Sequence, residues 1–443
     1  MNITSKRHKQ SEREYIMKKR WITVLSAVLF VMLIMTAAET KAASKTGAWD
    51  KGKKEVQTKG AFTYYTHPSK NGKEAWIYKI KIKGKKNRSL SIPKTIHGKK
   101  VTRLGRPENG KGENREAYAT LFGTYIEPWH NWDGSTKETS ALKSIRIPDT
   151  VKVIDRAAFS GLNAVTTIKL PKKIKKIESY AFYGCDKLKT IVLPEQMKSF
   201  ENSSLWGCPS LKEIKLSKKN KTFEVRGNGL IHKKSMALVM AATAGKEYTI
   251  PDGIIKIAPY AFGSAMSPAI HIPASVSILE KGAFNKNPWE KNINIRDVMV
   301  SEHNPVFSKD GQCIYNKTDK SLAVAIANEQ EVVRISEQVE KLTPDISLVN
   351  CDSETLEKLI YPSSLKHVTA PAFDLIRARN IYFTGSVPPE VTIPESFEED
   401  ALPVCCHVYV PEASADAYKA WYEGHKCYIY LDGWHTYNPQ TEF

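Results

Sequence analysis

From about residue 140 onward the apolar positions of the chain recur at a fixed interval. Pro148, Pro171 and Pro194 stand 23 residues apart in like surroundings (RIPDTVKVI, KLPKKIKKI, VLPEQMKSF), and Ser217 holds the next equivalent position. Ahead of the proline, Leu142, Val165, Leu188 and Leu211 form one apolar column. Ile145, Ile168, Ile191 and Ile214 form a second, and Ile147, Leu170, Leu193 and Leu216 a third. Behind it come Val151, Ile174 and Met197, then Ile154, Ile177 and Phe200, then Ala158-Phe159, Ala181-Phe182 and Ser204-Leu205. The template returns around Pro251, Pro273 and Pro362, and more weakly around Ser336.

A unit of 23 residues cannot enclose its own apolar side, so successive units must stack and share one continuous core. The expected fold class is a repeat solenoid with a parallel β-sheet. The alternation ahead of the proline is that of a strand, with Ile145 and Ile147 inward and Ser144 and Arg146 outward. Proline has no N–H to give a ladder and ends that strand. The half behind it is too short for a full helix and predicts a turn with a short extended or 3₁₀ segment on the opposite face.

The pattern L-x-x-I-x-I-P-x-x-V-x-x-I-x-x-x-A-F-x-x-C, met best by residues 165–185, resembles the BspA-like leucine-rich repeats of bacterial secreted and cell-surface proteins. The resemblance spans roughly residues 90–425. It implies a leucine-rich repeat solenoid that works as a non-catalytic binding or adhesion module. Its implied partners are host or neighbouring-cell surface proteins and matrix components.

Within this frame residues 43–104 read as an N-terminal β cap with a first repeat, and 141–403 as the solenoid. Segments near 219–240 and 303–325 resemble each other, with a Phe, then Gly, then a short apolar run. They are expected to be inserted β-hairpins projecting from the solenoid. Residues 404–443 form the C-terminal cap, whose last strand, Pro411 and short helix resemble the family's usual closing unit. The large insertion, 105–140, is polar and Gly-rich, and it brings Tyr118, Tyr125, Trp129 and Trp132 near one another in sequence.

Residues 17–42 have a different pattern: Lys18, Lys19 and Arg20 precede an apolar run over 21–35, then small residues at Thr40 and Ala42. This is the build of a secretory signal peptide cleaved near Ala42, with 1–16 as an upstream extension. A secreted or cell-surface location is expected. No second apolar run is long enough to span a membrane, so no transmembrane segment is expected in the mature chain. The full chain of 443 residues carries 66 Lys+Arg against 47 Asp+Glu, a net charge of +19. Removing residues 1–42 takes away eight Lys/Arg and three Glu and leaves +14. The remaining excess favours anionic partners in encounter, without pointing to nucleic acid.

Candidate chemistry is sparse. No H-E-x-x-H, G-x-S-x-G, phosphate-binding glycine loop or paired C-x-x-C occurs. The histidines have no metal-ligand spacing, and Cys406 and His407, as strand neighbours, point to opposite faces. No catalytic, cofactor or metal site is expected. Cys185 and Cys208 share a core-facing column with Leu162. They read as small buried hydrophobes, with a disulfide between adjacent coils as the alternative. In the C-terminal cap Cys427 stands as a candidate partner for Cys405 or Cys406.

Binding residues are therefore sought on the outward strand positions. Successive repeats present Arg146, Lys169, Val192 and Lys215, then His271, with Ser144, Thr167, Thr190 and Glu213 two positions earlier. Arg146, Lys169 and Lys215, together with Tyr125, Trp129 and Trp132, form the candidate contact set. The expected partner is an extracellular protein or matrix component. The alternative is an anionic cell-wall or host glycan on the basic solenoid face.

Overall fold

A computed structural model describes residues 55–69, 72–84, 88–105, 120–123, 136–243, 245–263, 267–284, 295–349, 356–375, 378–394, 405–425 and 430–439. Residues 1–42, over which a signal peptide is expected, lie outside them. The described residues form a parallel β-solenoid of about 13 turns with little helix. The repeat dictates it coil by coil. Strands Arg88–Ser91, Leu142–Arg146, Thr167–Lys169, Thr190–Leu193 and Glu213–Leu216 make one parallel sheet. In it Ile168, Ile191 and Ile214 lie directly opposite one another. The half behind each proline supplies a second face of two-residue strands, Val153–Ile154 on Lys176–Ile177, with Lys99–Leu104 beyond.

The apolar columns converge between these faces. Leu142, Val165, Leu188 and Leu211 are fully enclosed, as are Val151, Ile174 and Met197. The Ala-Phe pairs close each coil, and their rings stack: Phe159 on Phe182 at 5.7 Å and 2°, Phe262 on Phe284 at 5.1 Å and 8°. A turn with one left-handed residue aims each pair inward, at Ala157, Tyr180 and Tyr260 (φ 57°, 58° and 55°) and at Gly282 (φ 69°). Neighbouring turns are then zipped by backbone bonds, Phe159 N–H to Ala181 O at 2.8 Å and Phe182 N–H to Ser204 O at 2.8 Å. Cys185 and Cys208 are buried thiols that donate to the carbonyls of Phe159 and Phe182. Cys427 lies outside the described residues.

Both hairpin inserts are present, but they do not project. Phe223–Arg226 pairs antiparallel with Gly229–His232, which pairs with Ala237–Ala241, and that third strand joins Lys256–Ile257 in parallel. The second insert repeats the plan: Phe307–Asp310, Cys313–Asn316 and Leu322–Ile326, the last parallel to Ser347–Val349. The correction has a simple cause. Leu230, Ile231, Leu238, Ile314, Leu322 and Val324 are all buried, and that apolar surface stabilises the fold only if the hairpins lie within the core.

At the N-terminal end Glu55–Lys59, Phe62–Pro68 and Glu74–Ile82 form an antiparallel ribbon whose last strand runs parallel to Lys99–Leu104. Of the 105–140 insertion, Thr120–Gly123 docks by backbone: Leu121 accepts from Ile80 N–H at 2.5 Å and donates to Ala158 O at 2.9 Å. At the other end, strand Cys405–Pro411 leads into helix Ala415–His425. A further strand, Tyr430–Tyr437, then adds in parallel to Cys405–Pro411. Tyr418, Trp421 and Tyr437 tie the cap down, donating to the carbonyls of Gly385, Pro389 and Phe383. No helix among the described residues is long and apolar enough to cross a membrane.

Candidate functional site

The outward column of the first sheet is held in register by the strand pairing. Arg146 stands opposite Lys169, Lys169 opposite Val192, and Val192 opposite Lys215. Arg146, Lys169 and Lys215 are exposed and Val192 is half-buried. Two residues earlier the polar column interlocks: Ser144 donates to Ser89 at 2.7 Å, and Thr190 to Glu213 at 3.0 Å. Glu213 also meets Lys215 at 3.2 Å. The Lys215 hydrogen bond holds the Glu213 carboxyl below the ordinary carboxylate range. Lys215 is thus engaged by a carboxylate of its own strand, whereas Lys169 has no carboxylate within ion-pair distance among the described residues. His271 sits on a separate sheet, 3.4 Å from Glu247. Tyr118, Tyr125, Trp129 and Trp132 lie outside the described residues.

Lys169, Val192 and Lys215 of this column form one wall of a groove of about 860 Å³ that turns the corner at Pro194. Leu170, Leu193, Pro194 and Leu216 make its apolar floor. Six lysines line it, Lys152, Lys169, Lys172, Lys173, Lys175 and Lys215, against one carboxylate, Glu195. Lys152 pairs with Glu74 at 2.8 Å. Lys172, Lys173 and Lys175 are exposed; their ammonium groups, like that of Lys169, are in no ion pair among the described residues, while the Lys172 backbone N–H donates to Asp149 at 3.0 Å.

The strand-face reading misses these corner lysines, although the period contains them. Lys152, Lys175, Lys198 and Lys221 recur every 23 residues. Lys175 N–H donates to Lys152 O at 2.8 Å, and the side chain of Asn220, next to Lys221, donates to the carbonyl of Met197, next to Lys198, at 3.0 Å. Adjacent parallel strands are about 4.8 Å apart, so the four positions form a cationic file along the stacking direction. No group of three His, Cys, Asp or Glu side chains among the described residues converges to hold a metal ion.

Comparison with known proteins adds the family. The model of the BspA type leucine rich repeat region matches residues 135–226 and 241–324, in 6 copies. No curated protein matches the chain. Among solved structures it is similar to a leucine rich cell surface protein from Faecalibacterium prausnitzii A2-165 (18% identity, TM-score 0.31, covering 75% of this chain and 95% of that one). It is also similar to the pneumococcal vaccine antigen PcpA (15% identity, TM-score 0.29, covering 86% of this chain and 98% of that one). A third is a leucine-rich repeat protein from Bacteroides ovatus ATCC 8483 (14% identity, TM-score 0.27, covering 87% of this chain and 100% of that one). The matched residues take in the 23-residue repeats around Pro148, Pro171 and Pro194 and the coils they build. Residues 135–226 and 241–324 are thus leucine-rich repeats of the BspA type.

Proposed function

We propose that the chain is a secreted or cell-surface, non-catalytic adhesion module that binds an extracellular protein or matrix component of a host or neighbouring cell. The observation that carries this reading is the in-register outward column. Parallel pairing fixes Arg146, Lys169 and Lys215 at coil spacing around the half-buried Val192. A rigid ladder of this kind offers side chains without the ordering cost that weakens flexible binding surfaces, and its cations speed encounter with acidic partners. Trp129, Trp132 and Tyr125 belong to the same proposed contact set from the insertion.

The reading is tested by screening matrix proteins and glycans at low and moderate salt, with R146E/K169E/K215E as the variant. Protein adhesion through the ladder survives moderate salt and falls by about tenfold or more in the variant, because three contacts become repulsive. Adhesion indifferent to the triple reversal removes the ladder from the function. A second reading, binding of anionic cell-wall or host glycans, is favoured by lysines 169, 172, 173 and 175, whose ammonium groups are in no ion pair among the described residues. Affinity of that kind falls steeply with salt.

A further inference from the structure

The corner groove and the lysine file beside it have an order that a merely basic surface lacks. Lys152, Lys175, Lys198 and Lys221 occupy one equivalent position on four successive coils, and the last three are exposed. Lys172 and Lys173 flank the file one turn earlier, and Lys218 and Lys219 repeat that pair two coils on. Glu195 and Gln196 hold the positions between these two pairs, and Asp149 holds the equivalent position on the Lys152 coil, where it accepts from Lys172 N–H at 3.0 Å. Gln196 and Ser217 add uncharged hydrogen-bonding groups between the cations, over the floor of Leu170, Leu193, Pro194 and Leu216.

From this arrangement we infer that the groove, with the lysine file that starts in it at Lys152 and Lys175 and continues beyond it at Lys198 and Lys221, binds a linear polyanion laid along the stacking direction of the coils, one lysine of the file meeting it per coil. The chemistry is that of a polymer with an anion on every unit, whether a sulfated glycan or a phosphodiester-linked polyol. An acidic peptide fits less well. An extended strand repeats its same-side charges about every 6.6 Å, against a coil step of about 4.8 Å, so a peptide falls out of step along the file. The inference rests on reading this flank as a ligand-binding surface and adds the site, the direction and the ligand class.

The file has a finite length, and this makes a sharp test. Four lysines span three coil steps, about 14 Å, so affinity should climb with polymer length and then level off once that span is covered. The experiment titrates the purified chain with size-fractionated heparin oligosaccharides and with glycerol phosphate polymers of graded length, beside neutral dextran and poly-glutamate. The two anionic series separate sulfate from phosphate. The variant is K175Q/K198Q/K221Q, which leaves Lys152 and its Glu74 pair in place. A charge-matched control, K246Q/K281Q/K419Q, removes three exposed lysines elsewhere.

Expected are a length dependence with a plateau, little binding of dextran, and weaker binding of poly-glutamate. The file variant should lose at least about tenfold in affinity for the longer anionic fragments, the control less than about twofold, with neither variant melting below the wild type. Equal losses in the two variants, or affinity blind to length, overturn the placement in the groove. Tighter binding of poly-glutamate than of either polymer overturns the ligand class. Wild-type chain that binds neither polymer, yet still binds a protein through Arg146, Lys169 and Lys215, overturns the inference and leaves the adhesion reading standing.

Discussion

Asp155 sits at the junction of the N-terminal cap and the first full coil, and its side chain is wholly enclosed. Arg103 grips it in a fork, Nε to Oδ2 at 2.8 Å and Nη2 to Oδ1 at 2.6 Å, while the guanidinium lies 5.3 Å over the Trp76 ring. Gly105 makes this closeness possible: a Cβ there would stand 2.6 Å from Asp155 Cβ. Burial outweighs the arginine, and the Asp155 carboxyl is pushed up to about 6. The folded chain therefore binds a proton at a pH where the unfolded chain has already lost it. This group's contribution to stability is complete below the ordinary Asp value of about 4 and is lost as pH rises through about 6. Melting curves between about pH 4 and 7 should slope downward with pH in the wild type and flatten in D155N. Parallel slopes in the two proteins would remove Asp155 as the source.

At the scale of the element, each insert is fastened by one asparagine. Asn220 donates to the carbonyls of Pro194, Glu195 and Met197 and accepts from Thr222 and Phe223 N–H. Asn304 does the same in the second insert, donating to Pro273 and Val276 and accepting from Val306 and Phe307. Even the lysine that caps each asparagine carbonyl is repeated, Lys233 at 2.7 Å and Lys317 at 2.6 Å. Asn220→Ala strands several buried carbonyls at once and should cost about 3 kcal/mol in chemical denaturation. A loss below about 1 kcal/mol would mean that water takes over its role. The spacing S-x-x-N-x-x-F, at 217–223 and 301–307, marks both positions in the chain. The apolar columns outshine it because a buried polar side chain declares itself only through its partners. The last strand, Tyr430–Tyr437, was harder to read, since YLDGWHTY has no clean alternation and no repeat to align it with.

Across the whole molecule, what could be read in advance was whatever packing enforces. Every inward column had to repeat because each coil shares its core with the next, so solenoid, period and strand positions followed from spacing alone. Outward positions carry no such demand. The strand-face cations Arg146, Lys169 and Lys215 were legible because alternation gives a strand residue its direction. The file of Lys152, Lys175, Lys198 and Lys221 keeps the same period, yet it lies behind the proline, where the short segment has no alternation to say which way a side chain faces. That file has a second effect, on the protein with nothing bound to it. Like charges repeated at coil spacing repel one another along a line, and the core beneath must hold the coils together against that push. Added salt screens the repulsion within about 10 Å at ordinary ionic strength. It should therefore raise the melting temperature of the empty solenoid while it loosens the grip on an anionic partner, and K175Q/K198Q/K221Q should melt with a smaller salt response. Dilute surroundings would then favour capture by a less stable protein, and saline ones release by a sturdier one.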